Sequence, residues 1–497
     1  MTTPARLARL ADHIQLPEPR LRFAAGQPDA VDVHPLRGLL TFGAHSAAIL
    51  APLLPAARIA LVAPRADQEK IISVFQQLRS PASARGHTYV PDYPGFTQVY
   101  GADLIPADDH VHVWIDEDHD ARITEAADPQ AALAAMLSTA ASHLHRHRSE
   151  FHVAAIYLPD RWSAGFTGPG QFDLHHYAKA VFASLGIPSQ LLRQRLFGRP
   201  AAEVSWTLSV AMYTKLGGTP WVLAGSTPRA AYIGLSYALR DQAAGKDEPG
   251  ATGTRSPAPA AGAGRSGRFV TCCSQLFEAD GSGLEFTVYD TAANQVQFDG
   301  DNPFLSRDAM RAVVARTLSM YAERHVGARP ERVVVHKTTH FTVEEVAGAS
   351  DALAGIPDVD LLQVQEDVAW RAIALDRGKD GKGAPAAYPA HRGSLLVLDD
   401  YAALLWTQGN APEAVGGRGY YKEGVGIPRP LLLRRWLGTS PAESVSAEVL
   451  GLSKMNFNND ALYDLLPVTI KYAGILAQVV KRMPRLQARP YPLRLFI

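Results

Sequence analysis

One stretch of the sequence brings together side chains that could hold a phosphate group. It contains His175 and Lys179, which are four residues apart and therefore share one face of a predicted helix. Gln190 follows a Gly-Ile-Pro turn, and Lys215 ends a second predicted helix. Cations and an amide donor suit a terminal phosphate, whose charge of about −2 favours several charge-assisted hydrogen bonds. Each lysine alone is typical of a solvated surface, so the prediction depends on the combination.

Two further motifs have the residue types of a binding site in an unsuitable context. A G-x-G-x-x-G pattern at residues 262–267 precedes a predicted strand, whereas a dinucleotide site needs a strand that leads into a helix. His143, His145 and His147 fall in a predicted helix, where two of them could share a metal ion. No carboxylate or cysteine joins them at ligand spacing, so the sequence favours a solvated helix end.

Acidic residues and cysteines give weaker signals. The DEDHD run at residues 116–120 follows a predicted strand and could bind a divalent ion, although a solvated turn is favoured. Cys272 and Cys273 are adjacent in a strand-like run, so their side chains point to opposite faces and we expect no mutual disulfide. Core packing in a reducing compartment is the favoured interpretation.

Length and composition indicate a globular chain with an uneven distribution of charge. Its 497 residues, 47% hydrophobic, suffice for two or more cores. The net charge is zero, but residues 102–129 hold nine acidic residues and one basic residue, whereas residues 418–497 hold twelve basic and five acidic residues. This C-terminal surplus is typical of a phosphate-binding surface, with a solvated basic face as the alternative. No apolar run reaches the ~20 residues of a membrane span, so we expect a cytoplasmic chain with no membrane partner.

Strands alternate with helices in the first half of the chain. Apolar runs at 57–64, 110–116 and 151–160 are separated by helical patterns at 66–79 and 128–148. This alternation predicts a parallel sheet that is flanked by helices.

The second half begins with a hairpin. Residues 241–268 are almost wholly small, polar or charged, which predicts a disordered insertion between two paired strands. A helical pattern at 306–325, a buried strand at 331–337 and a helix at 467–483 follow. This order of elements, in which strands come first and are followed by a helix and a central strand, is typical of an RNase H-like fold.

With these motifs and elements, the chain resembles the prokaryotic Argonaute family, in particular its short members, which consist of a MID and a PIWI domain. The resemblance implies an α/β architecture in which a Rossmann-like MID domain precedes an RNase H-like PIWI domain. It places an N-terminal segment leading into MID at residues 1–45, the MID domain at 46–222 and the PIWI domain at 223–497.

The resemblance assigns roles to the phosphate-binding candidates. In the family, a MID motif of Tyr or His, Lys, Gln and Lys binds the 5′-phosphate of the guide strand. The matching positions here are His175, Lys179, Gln190 and Lys215. A further lysine of some members falls at Ala211, so that contact is missing. The family's terminal carboxylate, here that of Ile497, is expected to reach the pocket and help to hold Mg²⁺ against the phosphate.

The resemblance also bears on the PIWI domain. Its C-terminal segment implies guide-backbone contacts from Asn458, Asn459 and Lys471. An RNase H-like nuclease needs clustered carboxylates, sometimes with a histidine, to hold two divalent metals. The corresponding positions here are Ser236, Thr338 and Gly474. None can supply a charged ligand, so we expect no catalysis.

The expected function is therefore guided recognition without cleavage, in which base pairing reads the target. The resemblance implies an RNA guide, a single-stranded DNA target and a role in invader defence. It also implies a partner that carries an APAZ region fused to an effector, with a SIR2 domain first and a TIR domain or nuclease otherwise. Two alternatives stay open: an active metal-dependent nuclease that uses other acids, such as Asp399 and Asp400, and a guide-independent nucleic-acid-binding protein.

Overall fold

The structure is a computed structural model. It describes residues 13–84, 89–168, 172–225, 229–241, 268–291, 295–300, 302–377, 383–417, 419–421, 426–458, 462–482 and 490–496. The insertion predicted at 241–268 lies almost wholly outside the described residues, and so do Asn459, Ile497 and the glycine pattern at 262–267.

The N-terminal region is tied to the second half of the chain. Its elements are β1 (Ile14–Gln15), β2 (Leu21–Arg22), β3 (Val31–Asp32), α1 (Pro35–Phe42) and α2 (Ala47–Leu53). Glu18, between β1 and β2, forms ion pairs with the buried side chains of Arg392 and Lys454. Among the described residues, no single helix has the length and apolarity to cross a bilayer, and α1 and α2 meet that criterion only as a pair bent by 61°.

A five-stranded parallel sheet organises the first unit. Its elements are β4 (Ala56–Pro64), α3 (Gln68–Arg79), α4 (Phe96–Tyr100), β5 (Asp103–Pro106), β6 (Val113–Ile115), α5 (Glu117–Thr124), α6 (Pro129–Arg146), β7 (Val153–Leu158), β8 (Thr167–Gly168), β9 (Phe172–Asp173), α7 (Leu174–Ser184), β10 (Ser189–Arg193) and α8 (Ala201–Lys215). The strand order is β10-β7-β4-β5, with β6 also beside β4, and every pair is parallel. Every residue of β7 is buried, as expected of a central strand in a parallel sheet covered by helices. The predicted alternation is confirmed.

The second unit is built on a ten-stranded sheet. Its elements are β11 (Val222–Leu223), β12 (Ala230–Asp241), β13 (Arg268–Glu278), β14 (Gly283–Thr291), β15 (Val296–Asp299), β16 (Asn302–Leu305), α9 (Arg307–Arg324), β17 (Arg332–Lys337), α10 (Val343–Ala352), β18 (Asp358–Gln365), β19 (Leu375–Arg377), β20 (Gly383–Pro385), β21 (Ser394–Val397), β22 (Ala402–Leu405), β23 (Leu431–Leu437), α11 (Ala442–Leu452), α12 (Val468–Val480) and β24 (Tyr491–Pro492). The sheet order is β1-β21-β22-β23-β18-β17-β12-β13-β14-β24.

The central strands of this sheet have the predicted RNase H-like order. β12, β13 and β14 are antiparallel neighbours, and β17 and β18 continue the sheet parallel to β12. The hairpin of β12 and β13 is confirmed, and Cys272 and Cys273 both lie in β13 as predicted.

Helices cover both faces of the second sheet. α9 and α10 pack on one face, and α12 packs on the other, over β12 and β13. α12 approaches β12 closely, because a Cβ atom at Gly234 would lie 2.2 Å from the carbonyl oxygen of Thr469. A side chain at position 234 would push α12 away from the sheet. α12 also packs against α7 and so joins the two units.

Candidate nucleic-acid site

The start of α7 fixes two of the predicted phosphate ligands. Asp173 caps this helix, and its carboxylate accepts a hydrogen bond from the backbone N–H of His176 at 3.1 Å. Because the helix begins at this point, His175 lies in its first turn and Lys179 lies one turn later on the same face. The spacing predicted from the sequence is therefore present.

Two buried ammonium groups form the centre of the site. Lys179 is 2% exposed and Lys215 is 1% exposed. The Nζ atom of Lys179 donates to the carbonyl oxygen of Ser189 at 2.5 Å. Burial, together with the nearby charge of Lys215, holds the pKa of Lys179 well below its usual range, and burial lowers the pKa of Lys215 to about 7. Among the described residues, no hydrogen-bond acceptor or carboxylate is found for Lys215, so an anion between the two groups would relieve an unfavourable burial of charge.

The other two predicted ligands lie beside this pair. Burial, followed by the charge of Lys179, lowers the pKa of His175 to about 3, so its ring is neutral near pH 7. The amide nitrogen of Gln190 donates to the carbonyl oxygen of Leu191 at 3.0 Å. Its Oε1 atom is buried with no partner among the described residues. A contact from the Gln190 amide nitrogen to a phosphate therefore requires a rotation of this side chain.

Two arginines that the sequence reasoning missed add positive charge. Arg193 ends β10, with its guanidinium carbon 3.8 Å from the ring centroid of Phe166. Its charge helps to lower the pKa of His175, after the larger effects of burial, Lys179 and His176. Arg482 follows α12, and its charge contributes, after burial, to the lowered pKa of His176. The end of a parallel strand is a usual position for a ligand-binding side chain, which could have indicated Arg193. No local signal indicates Arg482, because it comes from the second unit.

The C-terminal turn of the described chain reaches the same helices. Residues 493–495 pack against α7 and α8. Phe496 is buried, and its ring meets that of Phe286 edge-on with centroids 4.5 Å apart. A Cβ atom at Gly217 would lie 2.8 Å from a terminal nitrogen of Arg494, so this guanidinium lies over the end of α8. The predicted role of Ile497 stays a prediction.

The three predicted catalytic positions lie together. The parallel register of β12 and β17, extended by two residues, aligns Ser236 with Thr338. The hydroxyl of Ser236 donates to the carbonyl oxygen of Ala473 at 2.8 Å, directly beside Gly474. The place where two central strands and α12 meet therefore presents a hydroxyl at two positions and no side chain at the third.

Glu345 is a buried carboxylate close to this place. It is 0% exposed and forms an ion pair with Lys337 at 2.5 Å. It also accepts hydrogen bonds from the Tyr237 hydroxyl at 2.9 Å and from the backbone N–H groups of Leu305 at 3.1 Å and Thr342 at 3.0 Å. These four donors occupy both oxygens, so Glu345 cannot turn to a metal ion without breaking them.

Other acidic residues named from the sequence serve local structure. Asp399 and Asp400 are exposed in the turn before β22, and three strands separate β22 from β12, roughly 19 Å at the usual strand spacing. The run at 116–120 is the start of α5 rather than the favoured turn, because Asp116 caps this helix and further acids lie in its first turn. Asp120 pairs with Arg161 at 2.6 Å. Neither set forms a group of three metal ligands among the described residues.

The guide-backbone candidates lie near the start of α12. Asn458 is exposed, and its N–H donates to the side-chain oxygen of Asn456 at 3.0 Å. The same oxygen accepts from the Tyr472 hydroxyl at 3.0 Å, so Asn456, which the sequence did not indicate, fixes this turn. Lys471 lies half-buried in the first turn of α12.

The fold defines a class of α/β protein in which a Rossmann-like unit precedes an RNase H-like unit, and two buried lysines lie on α7 and α8 of the first unit. Solved structures with this architecture are Argonaute proteins, and the chain has an Argonaute-like fold. The structure of Clostridium butyricum Argonaute bound to a guide DNA and a 19-mer target DNA matches with a TM-score of 0.62 and 14% identity, over 98% of this chain and 55% of that chain.

Two further solved structures match this chain with similar TM-scores. The crystal structure of A. aeolicus Argonaute matches with a TM-score of 0.59 and 12% identity, over 98% of this chain and 56% of that chain. Aa-Ago with externally bound siRNA matches with a TM-score of 0.59 and 13% identity over the same shares. The chain thus spans little more than half the length of these neighbours. No family model and no curated protein matches the sequence. At these identities the likeness shows the fold alone.

Proposed function

We propose that this chain binds a guide strand by its 5′-phosphate and uses it to recognise a complementary target without cutting that target. The observation that carries the proposal is the pair of buried ammonium groups at Lys179 and Lys215, of which Lys215 has no anionic partner among the described residues. A dianionic phosphate satisfies both groups through charge-assisted hydrogen bonds.

The surrounding side chains have separate tasks in this binding. The neutral ring of His175 donates one hydrogen bond to a phosphate oxygen, and Gln190 adds another after rotation of its side chain. Arg193 and Arg482 raise the positive potential of the pocket. Beyond the pocket, the guide backbone passes the residues near the start of α12, namely Asn458, Asn459 and Lys471.

Magnesium is a second element of the proposal. Mg²⁺ prefers oxygen ligands, chiefly carboxylates and phosphates. The described part of the site presents cations, amides and the Asp173 carboxylate, which caps α7, so it fits a phosphate and contributes no group of three metal ligands of its own. A Mg²⁺ ion there would be held by the Ile497 carboxylate and by phosphate oxygens, where it would neutralise negative charge.

The absence of cleavage follows from the side chains at the nuclease position. Ser236, Thr338 and Gly474 provide no charged ligand, and the carboxylate of Glu345 is held by four donors. Two-metal catalysis requires several anionic ligands around both ions. Binding of the target is therefore the event that this chain supplies.

A separate effector completes the function that we propose. The guide is RNA and the target is single-stranded DNA, and recognition serves prokaryotic defence. The chain forms a heterodimer with an APAZ-containing protein whose effector is a SIR2 domain, or otherwise a TIR domain or nuclease. Support comes from the sequence resemblance and from a fold shared with a neighbour solved with guide and target DNA.

Guide-independent binding through the basic C-terminal region is less well supported. Lys454, one of its twelve basic residues, is 3% exposed, and it pairs with Glu18 and donates to the carbonyl oxygens of Pro19 and Val33. This charge stabilises the fold and does not face a nucleic acid.

The first experiment identifies the nucleic acid that copurifies with the chain. Nucleic acid that copurifies with the chain is end-labelled with and without prior phosphatase treatment and then sequenced. We expect short strands that can be end-labelled only after phosphatase treatment, because each strand carries a 5′-phosphate. In parallel, one strand is compared with a 5′-phosphate and with a 5′-hydroxyl, and a preference of more than about tenfold for the phosphate is expected. Equal affinity for both strands would show that the pocket is wrongly assigned.

A further inference from the structure

Three side chains outside the phosphate pocket converge on the surface of the first unit. His110 lies in the connection between β5 and β6, His147 follows α6, and Glu150 comes three residues after His147. The two carboxylate oxygens of Glu150 lie 2.7 Å from Nε2 of His110 and 2.8 Å from Nδ1 of His147. One ligand atom from each of the three residues lies within 4.8 Å of the others, and this is the one such group in the described ranges.

Among His143, His145 and His147 themselves, the sequence has no carboxylate or cysteine at ligand spacing. The structure supplies the carboxylate from Glu150 and a second imidazole from His110, which is distant in sequence. Only the fold could bring His110 to the end of α6.

A fourth histidine positions the first one. Nε2 of His143 lies 3.0 Å from the backbone carbonyl oxygen of His110 and donates to it, and the His143 ring packs 4.8 Å from that of His147. Metal-binding histidines in proteins are commonly supported by such outer contacts to backbone carbonyls. His143 thus holds the connection that carries His110 against α6.

The geometry suits a small tetrahedral ion. Metal–ligand distances of ~2.0–2.2 Å imply ligand–ligand distances of roughly 3.4 Å in a tetrahedral site. The His110, His147 and Glu150 side chains are partly exposed, at 57%, 27% and 38%, so they can move apart by this margin without disturbing the core. Two imidazole nitrogens and one carboxylate oxygen favour Zn²⁺ over Mg²⁺ or Ca²⁺, which prefer oxygen alone.

We propose that His110, His147 and Glu150 bind one Zn²⁺ ion, with water in the fourth position and with His143 as a positioning residue. The ion ties the connection between β5 and β6 to the end of α6. This tie extends into the sheet, because Nδ1 of His112 accepts a hydrogen bond from the backbone N–H of Leu61 in β4 at 3.1 Å. The site stabilises the first unit and is independent of guide binding.

The test uses the full chain, stripped with a chelator and then titrated with zinc sulfate alone. We expect one zinc per chain by elemental analysis and a saturable rise in melting temperature. His147→Ala and Glu150→Gln are expected to weaken zinc binding by more than about tenfold. His145→Ala is the matched control, because His145 lies on the same helix, is exposed and is not part of the group.

Two further measurements keep the result interpretable. The melting temperature of each variant in chelator shows whether it folds like the parent. Cobalt, which reports its coordination in the visible spectrum, should give the bands of a four-coordinate ion in the parent and in His145→Ala but not in His147→Ala. Zinc affinity that is unchanged in His147→Ala, or six-coordinate cobalt in the parent, would overturn the proposal.

Discussion

Lys215 ends α8 with 1% of its surface exposed, and burial lowers its pKa to about 7. An ammonium in such surroundings is unfavourable unless an anion lies beside it. Lys179 is buried close enough for the charge of Lys215 to lower its pKa further. Strongly shifted groups gathered in one place are typical of binding sites. The burial of Lys215 is thus better explained by an anionic ligand than by folding alone.

The contribution of the pocket can be measured by removing two of its ligands. We expect the double variant Lys179→Ala, Gln190→Ala to bind guide more than tenfold more weakly and to lose its preference for a 5′-phosphate, because each charge-assisted contact contributes roughly 1.5–3 kcal/mol. Fluorescence anisotropy with phosphorylated and hydroxyl strands measures both effects. Arg316→Ala is the control, since Arg316 is an exposed cation of α9 on the opposite face of the second sheet from α12. A double variant with the affinity of the parent would contradict the assignment.

The low pKa of Lys215 predicts a pH dependence. A bound phosphate raises this pKa above its free value of about 7, so binding takes up a proton between the two values. Affinity for a 5′-phosphorylated strand should therefore fall as pH rises from about 7 to 9, by at most about tenfold per pH unit for each lysine that takes up a proton. The 5′-hydroxyl strand should lack this dependence.

Lys215→Arg is the matched variant for this measurement. An arginine stays charged across the range, so the variant should lose the part of the slope with pH that Lys215 contributes. An identical slope in parent and variant would assign the effect to another group.

At the scale of elements, the strand end that carries Thr338 is held by the ion pair of Lys337 with Glu345. Glu345 occupies the N-terminal turn of α10, where it completes a capping box with Thr342. Removing one partner of a buried ion pair leaves the other charge without compensation. α10 and the end of β17 are therefore expected to depend on each other for stability.

This dependence can be tested by comparing two adjacent glutamates. Glu345→Ala should lower the free energy of unfolding by about 3–5 kcal/mol, because the buried Lys337 loses its carboxylate partner. Glu344→Ala, at an exposed neighbouring position, should change it by less than about 0.5 kcal/mol. Urea unfolding followed by circular dichroism gives both values. Equal losses in the two variants would mean that the buried pair contributes nothing specific.

Elements with long, regular patterns were predictable from the sequence, and short ones were not. The helical pattern of α6 extends over enough residues to show its period, and the continuous apolar run of β7 is typical of a strand that is covered on both faces. β1 has only two residues, and its pairing with the edge strand β21 depends on a contact far along the chain. Local periodicity carries no information on such contacts.

The same reasoning applies to the candidate sites. His175 and Lys179 share one helix, so their spacing alone was informative. Arg482 and His110 reach their sites from segments distant in sequence, and only the fold shows where they lie. Residues 116–120 form the start of a helix and not the turn that their polarity predicts, because Asp116 caps α5.

At the scale of the whole molecule, α12 connects the two units. It lies over β12 and β13, carries Gly474 at one of the three predicted catalytic positions and also packs against α7, which holds His175 and Lys179. In the function that we propose, a strand held at α7 therefore lies next to the helix that also covers the sheet of the second unit.

The lone chain is expected to bind target without cutting it. Purified protein loaded with guide should leave a complementary target intact in the presence of Mn²⁺, because Ser236, Thr338 and Gly474 supply no anionic ligands. The single variant Ser236→Asp should not restore cutting, since two metals need several ligands at once. Target cleavage that disappears on mutation of an acid in this chain would refute this expectation.

If the chain only binds, a second protein must convert the bound state into an output. We expect an APAZ-containing neighbour to copurify with the chain as a heterodimer and to become active only when guide and target are both present. Depletion of NAD would identify a SIR2 or TIR effector, and degradation of bulk DNA would identify a nuclease. The guide-binding variant Lys179→Ala, Gln190→Ala should abolish this activation while the heterodimer persists, because the pocket and not the partner contact is lost. Full cellular activity from the chain without any partner would show that its output lies in the chain itself.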